Sequence, residues 1–149
     1  MSRQRGLAAP VILVVVALIV TLLGGIAVDM WRVLESHRRL VGVVDAAATA
    51  GAGAVDVDAF RASPEALPRV DPEWAVGRAC AVLVDAGLDP CPGPWARVSV
   101  TGDEVRVAAR RIVEMTFIGR LGFGAAGDGG FTVGADSMAR LLRGIGAPP

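Results

Sequence analysis

Lysine, asparagine and tyrosine are absent from this chain of 149 residues, and histidine occurs once, at His37. All 15 basic side chains are therefore arginine, and 15 acids balance them to a net charge of zero. Without an excess of either sign there is no broad basic field to hold a phosphate backbone and no acidic tail, so nucleic acid is not expected as a partner. The missing lysine, set beside abundant Ala, Gly and Val, reflects a GC-rich coding bias and marks no site. Two cysteines and one distant histidine are too few for a zinc centre, and no cofactor is expected. His37 has Asp29 and Glu35 nearby but no nucleophile at a useful spacing, and it falls on an apolar stripe. It reads as a packed or interfacial histidine rather than a general base. Glu104 and Glu114 are single carboxylates with no visible partner. Gly119-Arg120-Leu121-Gly122-Phe123-Gly124 lacks the Lys-Ser/Thr of a phosphate loop and departs from the dinucleotide fingerprint, so it reads as loop. The chain is not expected to be an enzyme.

What the chain has instead is a long apolar run. Leu7 to Val28 carries no charge over 22 residues. A helix of that length rises roughly 33 Å, enough for a hydrocarbon core of about 30 Å. A retained membrane anchor is the favoured reading. The competing one is a cleaved signal peptide, with Arg3 and Arg5 as its positive region and Gly25-Ile26-Ala27 as its small-residue site; the run is longer than the usual signal core. Arg3 and Arg5 precede the run without an acid, whereas Arg32, Arg38 and Arg39 follow it among Asp29 and Glu35. The simpler arrangement is a single pass through the cell membrane, with a short cytoplasmic N-terminal tail and the C-terminal domain outside. Trp31 then stands at the lipid–water boundary, where an indole ring tolerates both media.

The helical pattern continues past the run. Met30, Val33, Leu34, His37, Leu40, Val41, Val44 and Ala48 recur at spacings of three and four, with Asp29, Arg32, Glu35 and Arg39 mostly opposite. One continuous helix from about Leu7 to about Ala52 is predicted, a rod half in lipid and half amphipathic. Its shape is that of a pilin stem, but on periodicity alone an ordinary juxtamembrane helix is the favoured reading. After Gly53, Ser63-Pro64 and Leu67-Pro68 mark a linker. A second helix opens with Asp71 as N-cap, Pro72 at its first position and Glu73 in its first turn, and stops at Gly87. Val76, Ala79, Cys80, Leu83 and Val84 are its expected buried stripe, with Arg78 and Asp85 outside.

Trp95 to Thr101 and Glu104 to Arg110 alternate apolar and polar residues around Gly102-Asp103, the pattern of a β-hairpin. Val98, Val100, Val105 and Val107 are expected to face the core. Ile112 to Gly122 reads as a helical turn or packed loop, Gly124 to Gly130 as a Gly/Ala stretch, and Phe131 to about Ala139 as a third strand. The expected fold is α+β: a long N-terminal transmembrane and stem helix, a second helix and a small antiparallel sheet, pilin-like in layout. Its segments are a tail (1–6), a transmembrane helix (7–28), a stem (29–53), a linker (54–70), an extracytoplasmic α+β domain (71–140) and a tail (141–149).

Two further features bear on assembly. Cys80 and Cys91 are close in sequence, and in an oxidising compartment a disulfide between them would contribute about 3 kcal/mol in the chain-entropy picture. Two unpaired thiols, with Cys80 filling an apolar helix face, is the alternative. Ala17, Thr21 and Gly25 repeat at spacing four within the apolar run, and Ala46, Ala47, Ala50 and Gly51 cluster in the stem. Small residues let a second helix approach closely, so these are candidate faces for self-association, but Ala is also simply the best helix former.

The N-terminal third carries a resemblance. Arg5-Gly6 before the run, Ala27-Val28-Asp29 at its end, Arg38-Arg39-Leu40, and Asp45-Ala46-Ala47-Ala48-Thr49-Ala50-Gly51-Ala52 resemble the N-terminal region of TadE/TadG-like proteins of the Tad (Flp) pilus system. The rest is similar in layout to the short TadE-like proteins of high-GC Gram-positive bacteria: a Cys-bearing Ala-rich helix, a second Cys, then Val-rich strands. The resemblance implies a minor pilin-like structural or assembly component of a pilus or secretion apparatus. Membrane lipid and other membrane proteins of that apparatus would be its partners. A membrane-tethered extracytoplasmic binding or accessory module is the alternative. Gly6-Leu7 is the candidate processing site. Counted from Leu7, the fifth residue is Val11 where prepilins carry Glu, and Pro10 precedes it. The carboxylate that would pair with a neighbouring subunit's amino terminus is therefore missing. The Asp-x-Ser-x-Ser metal motif of larger TadG proteins is likewise not supplied by Asp136-Ser137-Met138.

Overall fold

The computed structural model describes residues 5–56, 58, 61, 69–117 and 130–141. Ser63-Pro64, Leu67-Pro68, the loop from Gly119 to Gly124, the Gly/Ala stretch up to Gly129 and the tail beyond Leu141 lie outside them. The fold is α+β. Helix α1 spans Arg5–Ala52 without interruption and has Pro10 near its start. Helix α2 spans Pro72–Asp85. Strands β1 (Ala96–Thr101), β2 (Glu104–Glu114) and β3 (Gly130–Arg140) form an antiparallel sheet in the order β1-β2-β3. Two compact units divide the chain, Met1–Glu35 with Ile112–Phe131 and Ser36–Arg111 with Thr132–Pro149.

In the second unit, the C-terminal part of α1 contributes a buried face of Leu40, Val44, Ala47, Ala48 and Ala52. The stripe is rotated from the sequence expectation: His37 is exposed and Val41 is 43% exposed, while Ala47 and Ala52 are inside. Apolar spacing over this stretch covers too wide an arc to fix a phase, because alanine fits either side. Gly51 settles the phase sterically. A Cβ there would lie 2.9 Å from Val105 Cγ1 and 3.2 Å from the Ala75 carbonyl oxygen, so α1, α2 and β2 meet where a side chain is missing.

Helix α2 starts where its caps dictate. The Asp71 carboxylate accepts the Trp74 N–H at 3.0 Å, Pro72 needs no donor at the first position, and Gly87 leaves the helix at φ +79°. Its buried residues are Ala75, Ala79, Cys80 and Leu83. Val84 is 42% exposed and Ala75 takes its place in the stripe. The ends of the linker are pinched together by a bridge between Val55 and Val70, with the Asp71 N–H donating to the Ala54 carbonyl at 2.9 Å.

In the hairpin, Ala96 pairs with Ala109 and Thr101 with Glu104, and Gly102 at φ +64° provides the positive φ that a two-residue turn requires first. Val105, Val107 and Ala109 point inward and are fully or nearly fully buried, whereas Val98 and Val100 are half-buried. Strand β2 runs on through Ile112–Glu114, where periodicity alone predicts a turn or loop. Gly130 at the start of β3 lies against Ile112 and the Val113 carbonyl, so the neighbour that sustains those residues comes from outside the local sequence. At the hairpin end, Glu104 accepts from Arg140 Nε at 3.0 Å and Nη2 at 2.8 Å. That hydrogen bond, and then the carboxylate charge, raise the pKa of Arg140 above its ordinary value.

Candidate functional site

The chain's most unusual local arrangement lies in the first unit, where the charge-free run of α1 gives way to polar residues. Asp29 is the residue that ends the run, and its side chain is fully buried. A carboxylate removed from water must recover strong hydrogen bonds. Asp29 does so through the strand β2 exit: Thr116 donates its backbone N–H to Oδ1 at 3.0 Å and Phe117 donates its own to Oδ2 at 2.8 Å. One turn further along α1, Arg32 donates through Nη1 to Thr116 Oγ1. Asp29 was expected on the polar side of the stem. It is instead an internal acceptor, and the residues it serves are 87 and 88 positions away, beyond the reach of any helical periodicity.

The clasp fixes Phe117. Its ring covers Gly25 so closely that a Cβ built there would overlap the ring carbons. Phe117 and Thr116, with Val14, Ala17, Leu18, Thr21 and Leu22, enclose one side of an apolar groove of about 520 Å³. The Thr21 hydroxyl in its wall donates to the Ala17 carbonyl at 2.8 Å and so presents no free donor to the groove.

The candidate faces divide as follows. Ala17 and Thr21 line the groove and are exposed, while Gly25 is buried under Phe117. In the stem Ala47 and Gly51 are buried inside the second unit, Ala50 is half-buried and Ala46 is exposed. Gly6 and Leu7 lie in the first turn of α1. Trp31 is 66% exposed. Cys80 and Cys91 are joined by a disulfide, with Cα atoms 5.4 Å apart. It ties α2 to the loop that leads into β1 and contains two cis X-Pro bonds, Asp89-Pro90 and Cys91-Pro92.

Chemically, the arrangement holds a backbone segment against an apolar helix. Among the described residues, no three His, Cys, Asp or Glu side chains gather to hold a metal ion. Sequence reasoning missed Thr116, Phe117 and the inward role of Asp29. The available signal was an acid placed directly at the end of an apolar run, where an unsatisfied carboxylate would be costly. Comparison with protein families, with curated proteins and with solved structures finds no match to this chain.

Proposed function

We propose that this chain is a minor pilin-like, TadE/TadG-like structural or assembly component of a Tad (Flp) type pilus or a related secretion apparatus. It is held in the cell membrane by a single pass, with its α+β domain outside. The observation that carries the reading is α1 itself. One unbroken helix of 48 residues leads from the charge-free run to an Ala-rich stem whose end is buried against α2 and the sheet. Leu13 and Leu18 are 70% and 67% exposed in that run, a surface that water would not tolerate and that lipid accepts. A helix this long and apolar can cross a membrane, a property it shares with signal sequences. The N-terminal signature from Arg5-Gly6 to Ala52 supports the pilus assignment, and Val11 in place of a prepilin Glu favours a minor or assembly role over that of a major fibre subunit.

A second reading, a membrane-tethered accessory module outside any filament, draws on Gly25. The third small residue of the Ala17-Thr21-Gly25 series is covered by the chain's own Phe117, which shortens the face left for a neighbouring helix. Shearing of the cell surface separates the two. A pilus component enters the sheared fraction or copurifies with other membrane proteins of the apparatus. Recovery wholly in the membrane and without such partners would favour the tethered module.

A further inference from the structure

Three polar groups that the turn after β2 brings to the apolar helix are met from within the first unit. The N–H groups of Thr116 and Phe117 go to the two oxygens of Asp29, the Thr116 hydroxyl accepts from Arg32, and the Thr21 hydroxyl is returned to its own helix at Ala17. Hydrocarbon makes this demand of any backbone that enters it, since no water is there to complete hydrogen bonds. Water makes no such demand of a surface turn. Phe117 in this turn is 44% exposed and lines the groove with Leu18 and Leu22, which are 67% and 45% exposed. Gly25, under the ring, precedes Asp29 by four residues. The ring therefore stands about 6 Å inside the level of the Asp29 carboxylate along the helix axis.

We propose that residues 115–117 are a second membrane contact of this chain, with Phe117 inserted into the outer hydrocarbon beside α1. Lipid acyl chains fill the groove between the ring and residues 14–22. The proposal rests on the membrane reading above and deepens it. Its surface is continuous with the charge-free helix surface, and the wall from Val14 to Leu22 contains no charged residue, so acyl chains are the occupant it complements. Asp29 and Arg32 are then positioning residues at the headgroup boundary: they meet the Thr116 and Phe117 N–H groups and the Thr116 hydroxyl so that the aromatic ring can enter. A single-pass helix is free to rotate and tilt, whereas a helix with a second contact on one face is fixed about its axis. The chain thus presents one defined side of α1 to its neighbours.

The test uses the full chain in phospholipid vesicles, with Trp31→Phe, Trp74→Phe and Trp95→Phe as background and a single tryptophan introduced by Phe117→Trp or, as control, Leu18→Trp. Lipids brominated along the acyl chain quench only a ring in hydrocarbon. The expected result is strong quenching and blue-shifted emission at both positions, with little effect of aqueous acrylamide. Quenching by bromolipid at position 18 but not at 117 overturns the proposal; acrylamide access at 117 would then mean water, and its absence would mean a protein neighbour such as a second copy. Loss of bromolipid quenching at position 18 as well would overturn the membrane reading itself. A measurement without substitution guards against misfolding. A diazirine carried on a lipid acyl chain should label Phe117 along with residues 14–22 in the native chain, and labelling confined to the helix would refute the second contact.

Discussion

Two glycines in the same helix should respond to the same substitution with opposite signs. At Gly42 nothing lies within 4 Å of a built Cβ, whereas at Gly51 the Cβ would meet Val105 Cγ1 at 2.9 Å, the Ala75 carbonyl oxygen at 3.2 Å and Ala79 Cβ at 3.4 Å. Alanine in a helix interior is favoured over glycine by about 1 kcal/mol, and this contribution is common to both sites. At Gly51 it is opposed by overpacking, typically about 1–3 kcal/mol in a filled core, and Val105 and Ala75 are both fully buried. Gly42→Ala should therefore stabilise by up to about 1 kcal/mol. Gly51→Ala should lose as much as about 2 kcal/mol, and the difference between the variants isolates the packing cost of about 1–3 kcal/mol. For a domain of this size each kcal/mol moves the midpoint by about 4–8 °C. Thermal unfolding of the full chain in detergent, followed by near-UV circular dichroism, reads both. Equal shifts in the same direction would refute the close approach of α1, α2 and β2 at Gly51.

Other outcomes follow from the same geometry. Replacing both cysteines, Cys80→Ala with Cys91→Ala, should cost about 3 kcal/mol in urea unfolding, the loop-closure entropy of a link with a sequence separation of 11. Asp71→Ala removes the acceptor of the Trp74 N–H and should cost about 1 kcal/mol in the same assay. Asp29→Ala strands two N–H groups and should cost on the order of 2 kcal/mol locally, seen as faster hydrogen exchange at Thr116 and Phe117. Asp29→Asn keeps one acceptor oxygen and should fall between.

The parts of the fold that local chemistry specifies were legible in the residues. Asp71-Pro72 and Gly87 bound α2, Gly102 turns the hairpin, and the uncharged run passes into the stem without a breaker, as α1 does. Phase was less legible than element type. Val84 and Ala75 exchange roles in α2, and Val41 and Ala47 do so in α1, because alanine carries too little hydrophobicity to mark a face. Least legible were the long-range partners. Nothing near Ile112 announces that β2 continues to Glu114, and nothing near Asp29 announces Thr116 and Phe117. An acid at the end of an apolar run looks like a boundary marker from the sequence and proves to be a clasp in three dimensions.

On the membrane reading, the run from Leu7 to Val28 stays with the protein and holds it in the bilayer. Intact mass and N-terminal sequence of the chain recovered from native membranes test it most directly. The expected result is a membrane-bound chain that begins at Met1 or at Leu7 and keeps the whole run; a start at Leu7 would further move a fibre subunit to the front. A soluble chain beginning just after Ala27 would contradict it, making the run a signal peptide and leaving Asp29 at the edge of a free domain.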